Sequence, residues 1–364
     1  MSRWVRAGAS GCPERTPLLE IPMTLTAPSP ALAETAPVLL SLAAGYAGHR
    51  TVAIGLRRGL VRRLADAPGS TAEDLAEALD LDAFYVSVWC RSALAAGIVV
   101  RDGGGFALLP HVDTLLLDIG SPAHVGGVFG VLEAPEMFGR FEAELGTGRR
   151  MWWDDTSPEW IAAVTGTGTP FYTRLVPGGL AQVPGLPDAL GAGCRVVDTA
   201  CGTGTGVVRL AGHYPACTLV GVDGDAHSIE IARDRVAAAG LADRVELVCS
   251  ALEDLTLDEP ATVVVNNISM HECRDIDRVT DAVRESLEPG GWFVISDFPF
   301  PDTDEGLRTT PGRIMSGIQF FEAQIDDQLL PRAAYDDLLA RHGFTDLGWV
   351  QLTPMHALTW GRRP

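Results

Sequence analysis

Two carboxylates and a glycine turn mark the first place where this chain could do chemistry. Asp198 closes the apolar pair Val196-Val197, and Thr199-Ala200-Cys201-Gly202-Thr203-Gly204-Thr205-Gly206 follows. Gly202 and Gly204 let the backbone pass close to a ligand and take φ values closed to other residues. Val207, Val208, Leu210 and Ala211 then start an amphipathic helix whose free N–H groups would face that ligand. A second apolar run, Cys217 to Val222, ends in Asp223. An acid about twenty residues beyond such a turn can accept both ribose hydroxyls of a nucleoside. The dinucleotide fingerprint needs a third glycine five residues after the first, and Val207 stands there. The acid four residues before Gly202 suits a ligand that carries a cation rather than a pyrophosphate.

Asp198-Thr199-Ala200-Cys201-Gly202-Thr203-Gly204 resembles the D-x-[GA]-x-G-x-G motif of class I S-adenosylmethionine (SAM) dependent methyltransferases. The resemblance implies SAM as cofactor. Asp198, Gly202 and Gly204 would hold its methionine end, Asp223 would bind the ribose, and Ala200 and Gly224 join the cofactor set. Many members place an acid against the adenine after the third strand. Ala251 stands there, preceded by Ser250, so Ser250, Glu253 or backbone groups would take over. Asn266 and Asn267, at the end of the fourth strand, complete the expected cofactor residues.

Met270-His271-Glu272-Cys273-Arg274-Asp275 is similar to the L-H-D-W-x-D string of small-molecule O-methyltransferases, with Glu for Asp and Cys for Trp. That resemblance makes His271 the general base. An imidazole of pKa near ~6.5 suits the task, and a positioned base gives ~10²–10⁴ in rate. A structural histidine at the strand end is the other reading of His271. The HExxH zinc motif fails, because its fifth residue is Asp275, so no metal is expected. No GxSxG occurs, which leaves an α/β-hydrolase unsupported. Trp153, Tyr172, Met270, Met315, Gln319 and Phe320 are the expected acceptor-binding residues. The first two belong to an aromatic-rich span with Trp152, Trp160 and Phe171; the last three lie on the helical stretch Gly312 to Gln324.

The elements that must position these residues follow from periodicity. Residues 1–30, rich in Pro, Gly, Ser and Thr, are expected to be a disordered tail, with Met23 as an alternative start. Residues 31–115 read as helix (Ala36 to Leu64), short helix from Ser70, helix capped by Asp82, and a hairpin turning at Asp102-Gly103-Gly104-Gly105. That order is a winged helix, and it resembles the dimerisation domain of the same O-methyltransferases, which implies a homodimer. Residues 116–190 form a helical connector that would help to wall the acceptor pocket. From 191 to 364, strand and helix alternate, with strands at 244–249, 262–265 and 292–296 and a closing antiparallel pair at 344–352 and 355–360. The helix from Asp277 is expected to stop at Pro289-Gly290-Gly291. The expected fold class is therefore α/β: a Rossmann-like, mostly parallel sheet preceded by a helical, winged-helix domain, with its site at the strands' C-terminal ends.

Bulk properties narrow the function. A net charge of −19 argues against nucleic acid or an anionic membrane as partner, and so against a ligand-sensing DNA-binding regulator. The would-be recognition helix from Asp82 to Ala96 carries one basic residue, Arg91. There is no lysine, which excludes a lysine Schiff base and a P-loop. Seven cysteines without a CxxC fit buried thiols in a reducing cytoplasm, and no run reaches the ~20 apolar residues of a membrane span. The expected function is methyl transfer from SAM to a small, hydroxylated or aromatic acceptor of the natural-product kind. The alternative is an enzyme of this fold that keeps SAM as a non-transferring cofactor for cyclisation, hydroxylation or decarboxylation.

Overall fold

The structure, a computed structural model, describes residues 32–364. The expected disordered tail lies outside the described residues. The chain divides at Ala47, and the parts on either side are described separately. The first ends within helix α1 (Leu32–Arg57). Its stretch 32–47 shows solvent a row of large apolar side chains: Leu32, Val38, Leu39, Leu40, Leu42 and Tyr46.

In the second part, α1 runs on to Arg57, and Gly59 in the left-handed region separates it from α2 (Leu60–Asp66). The expected single helix is thus two, because only glycine takes that φ at little cost. Next come α3 (Ala72–Leu79) and α4 (Ala83–Ala95). Thr71 and Asp74 form a reciprocal capping box, and Asp82 accepts the Tyr85 N–H at 2.9 Å. The hairpin β1 (Val99–Asp102) and β2 (Gly105–Leu108) follows in the expected order. The connector holds α5 (Val112–Leu117), α6 (Gly126–Val131), α7 (Pro135–Glu144), α8 (Pro158–Arg174) and α9 (Leu186–Ala192).

The remainder reads β3 (Arg195–Thr199), α10 (Thr205–His213), β4 (Thr218–Asp223), α11 (Ala226–Ala238), β5 (Val245–Cys249), β6 (Ala261–Asn267), α12 (Ile276–Ser286), β7 (Leu287–Asp297), α13 (Asp304–Arg308), α14 (Thr310–Glu322), α15 (Arg332–Arg341), β8 (Thr345–Thr353) and β9 (His356–Arg362). Seven strands make one sheet in the order β5-β4-β3-β6-β7-β9-β8. β3 to β7 are mutually parallel, and β9 returns antiparallel to β7 and β8. Both faces are covered, so the β3 pair Val196-Val197 is apolar on both: Val196 joins the cluster containing Leu175, Leu210 and Ile229, while Val197 joins that of Val279, Val283 and Leu338.

One boundary differs from expectation. Pro289-Gly290-Gly291 does not end α12, which stops at Ser286; it lies inside β7 as a bulge. Register jumps from Ala261↔Leu287 to Val263↔Trp292, because proline has no N–H for the ladder and Gly290 turns at φ +81°. The thiols also differ in part: Cys249 is exposed, whereas Cys90, Cys201 and Cys217 are buried. No helix among the described residues is long and apolar enough to cross a membrane.

Candidate active site

The order of β3 and its neighbours opens a crevice where the chain leaves β3 for β4 on one side and β6 is added on the other. A cavity of about 450 Å³ lies at these strand ends. The glycine turn, Asp223-Gly224-Asp225, Ser228 and Ala251 to Glu253 line one part of it. Asn267 to Ser269, Glu272 to Arg274, Trp152, Trp153 and the α8 face of Ile161, Val164, Thr165, Gly168 and Tyr172 line the rest.

The turn is held open by hydrogen bonds. The Asp223 carboxylate accepts the Gly202 N–H at 2.7 Å through Oδ2 and the Asp225 N–H at 2.9 Å through Oδ1. Each oxygen keeps a further lone pair for a ligand hydroxyl. Gly202 sits at φ +51°, and a Cβ there would enter open space, so the missing side chain leaves room on the cavity wall. Ala200 (φ +57°) and Ile268 (φ +51°) are left-handed as well. For a β-branched residue that conformation is strained, and such strain gathers at functional sites.

Asp198 lies behind this wall rather than on it. It is fully buried and accepts the Tyr172 hydroxyl at 2.9 and 3.0 Å. Burial pushes its carboxyl up to about 8, against the pull of the Tyr172 hydrogen bond. Asp223 is also raised, by burial above all.

On the other side, Asn267 receives the Ser296 hydroxyl on Oδ1 at 2.7 Å, while its buried Nδ2 has no hydrogen-bond partner. His271 follows on the short turn after β6. Its Nδ1 is 2.8 Å from Asp297 Oδ2, which also accepts the Tyr335 hydroxyl at 2.6 Å. Its Nε2 faces Glu322 Oε2 at 3.7 Å and Glu272 Oε1 at 4.0 Å. Burial would lower the imidazole, but Asp297 and Glu322 outweigh it and hold it well above the usual histidine range. His271 does not itself line the cavity; Glu272 stands between.

The expected residues thus separate. Ala200, Gly202, Asp223, Gly224, Ala251, Asn267, Trp153 and Tyr172 line the cavity. Gly204 (φ +79°) does not; a Cβ there would meet Ala232 of α11, so glycine serves helix packing. Ser250 donates its N–H to the Asp223 carbonyl, and Asn266 is buried with its Nδ2 on Thr199 Oγ1 at 3.2 Å. Met270 packs in the core beneath the sheet, and Met315 in the cluster with Phe171, Phe298 and Leu329. Gln319 accepts the Leu329 N–H at 2.7 Å, and Phe320 meets Phe138 and Phe141 edge to face. Of that helical stretch Met315 is buried, Gln319 half-buried and Phe320 exposed, and none of the three lines the cavity. Tyr172 lines the cavity and gives its hydroxyl to Asp198 behind it. Sequence reasoning missed Glu322 and Arg274, whose guanidinium lies 3.8 Å over the Trp152 ring. A signal for Glu322 existed: it stands seven residues after Met315, an acid on the same apolar helical stripe.

An open α/β sheet with its cavity at a switch point, a carboxylate-pinned glycine turn and an acid on the next strand define a class I methyltransferase fold. Residues 196–291 match the family described as a methyltransferase domain. It is similar to the S-adenosylmethionine-dependent methyltransferase SibL in its apo form, with TM-score 0.66 and 21% identity over 92% of this chain and 100% of that one. It is also similar to human N-acetylserotonin methyltransferase in complex with SAM, with TM-score 0.67 and 15% identity over 93% and 99%. Among curated proteins it is 26% identical to a carboxy-S-adenosyl-L-methionine synthase of Trichodesmium erythraeum, over 42% of this chain and 65% of that one. The chain spans between 21% and 65% of the length of the curated relatives it matches.

Proposed function

We propose that this protein transfers the methyl group of SAM to a small-molecule acceptor in the cavity between the glycine turn and α8. One observation carries the reading: a single cavity joins Asp223 and Gly202 to Glu272, with aromatic walls between. The residues present fit SAM. Acids outnumber the one arginine on the lining, which suits a cationic ligand, and the unpartnered Asn267 Nδ2 offers a donor. When bound, SAM supplies a methyl group already activated by its sulfonium.

The chain's own residues do the rest. Asp223 takes the ribose hydroxyls, and Asp198 sets a negative charge behind the methionine end. Trp152, Trp153, Ile161 and Val164 keep water off the acceptor and hold it against the turn, a proximity effect. The acceptor's proton passes to the Glu272 carboxylate on the cavity lining, with Glu322 and the His271 imidazolium behind it and Asp297 fixing the imidazole ring. The exposed apolar residues of 32–46 support a homodimer built on that segment, in a cytoplasmic protein.

Incubation with methyl-labelled SAM and a panel of hydroxylated aromatic compounds tests the reading. Label on the acceptor with equimolar S-adenosylhomocysteine is expected. Product formed with all label still on SAM would instead establish a non-transferring cofactor, and no calorimetric heat with SAM would remove both.

A further inference from the structure

On the methyl-transfer reading, we infer that Asn267 Nδ2 is a fixed hydrogen-bond donor for the carboxylate of SAM, aimed by the positioning residues Ser296, His356 and Arg174. Asn267 is 3% exposed, and its Nδ2 has no hydrogen-bond partner. A buried amide N–H left unpaired is costly unless a ligand completes it. Among the described residues that line the cavity, Asn267 carries the buried side-chain donor that stands open.

A chain of donors decides which end of that amide is free. Arg174 Nε donates to His356 Nδ1 at 3.0 Å. A guanidinium cannot accept, so Nδ1 is bare and the ring proton sits on Nε2. His356 is fully buried, and burial together with Arg174 holds it well below the usual histidine range, so the ring is neutral. Nε2 lies 2.8 Å from Ser296 Oγ, and the Ser296 hydroxyl donates in turn to Asn267 Oδ1 at 2.7 Å. Turned over, the amide would give Ser296 two donors and leave its own buried proton without an acceptor. Nδ2 is therefore the end left for the cavity. The fold anchors the whole chain. Asn267 and Ser296 are paired across β6 and β7, and Arg174 Nη1 donates to the Pro122 carbonyl at 3.0 Å. The Phe171 ring packs against both the guanidinium and the imidazole.

Position and charge choose the ligand atom. Asp223 stands at the end of β4, the glycine turn follows β3, and Asn267 ends β6 on the far side of β3. A nucleoside with its ribose at β4 and its tail crossing the turn brings the end of the tail to β6. That end carries a carboxylate, and the lining is rich in acids: Asp223, Asp225, Glu253 and Glu272. An uncharged donor fixed in place binds the carboxylate by a charge-assisted hydrogen bond and leaves intact the acids that favour the sulfonium.

Full-length protein is titrated in a calorimeter with SAM and with decarboxylated SAM, which lacks only the carboxylate. The ratio of dissociation constants, decarboxylated over intact, should fall at least about tenfold in Asn267→Leu and at least about threefold in Ser296→Ala. Nuclear magnetic resonance of the unmutated protein gives readouts that need no variant. Histidine nitrogen shifts should show His356, assigned from its contacts with the Phe171 ring, neutral and protonated on Nε2. The Asn267 side-chain amide protons should move downfield with SAM and stay in place with the decarboxylated form. Heats from both nucleosides with an unchanged ratio in folded Asn267→Leu, an amide signal indifferent to SAM, or a His356 protonated on Nδ1 would each overturn the assignment and leave methyl transfer standing. No heat from either nucleoside removes both.

Discussion

Asp198 offers the sharpest test of how the cofactor is held. Its carboxyl is fully buried, and burial lifts it from 3.8 to about 8. The folded chain therefore binds a proton that the unfolded chain has released. Stability from this group is whole below about pH 4 and is lost as pH rises through about 8. A cationic ligand reverses the penalty, because it favours the charged form. If SAM binds only the ionised form, roughly 1% of the protein is competent at pH 6 and about a quarter at pH 7.5. Affinity should then rise about 24-fold, or ~1.9 kcal/mol, across that window. Calorimetry at four pH values, in two buffers of different ionisation enthalpy, reads both quantities. Nearly one proton should be released per SAM at pH 6. Asp198→Asn keeps an acceptor for the Tyr172 hydroxyl and should flatten the profile. An unmutated profile flat within twofold, without proton release, would refute the reasoning.

Other substitutions probe separate parts. Gly202→Val puts a branched side chain into the cavity at φ +51°; SAM heat should vanish, while the backbone strain costs roughly 1–2 kcal/mol in a urea melt. Gly206→Ala drives a methyl into the Tyr172 ring and Asp198 Oδ2, so unfolding free energy should fall by about 1–3 kcal/mol, and unchanged stability would show that the packing yields. Leu39→Glu with Leu42→Glu charges the exposed apolar stretch; light scattering should show a monomer where the unmutated chain is a dimer.

Much of this architecture was legible because period and punctuation carry it. Apolar runs ending in Asp198 and Asp223 gave β3 and β4, β-branched and apolar runs gave β6 and β7, and Asp82 marked a helix start. The bulge in β7 was not legible, because a Pro-Gly-Gly string reads as a stop unless the pairing of the next strand is known. The glycine-turn side of the cavity was local in sequence, and Ala200, Gly202, Asp223 and Gly224, singled out by spacing, all lie on its lining. The stripe of Met315, Gln319 and Phe320 was less informative, because a helical period shows which side chains share a face without showing which cavity that face meets, and none of the three lines this one. Glu322 meets His271 only through the tertiary fold, across some fifty residues of chain, and no spacing rule reaches that far.

The Tyr172 hydroxyl on Asp198 has a practical consequence. α8 presents Ile161, Val164 and Thr165 to the cavity, and about two turns beyond them Tyr172 of the same rod props the carboxylate behind the glycine bend. Under the methyl-transfer proposal, whoever reshapes that helix to admit a bulkier guest also shifts the carboxylate behind the methionine end of the donor. Guest range and donor grip are thus tied together, and libraries aimed at α8 should be screened for both at once.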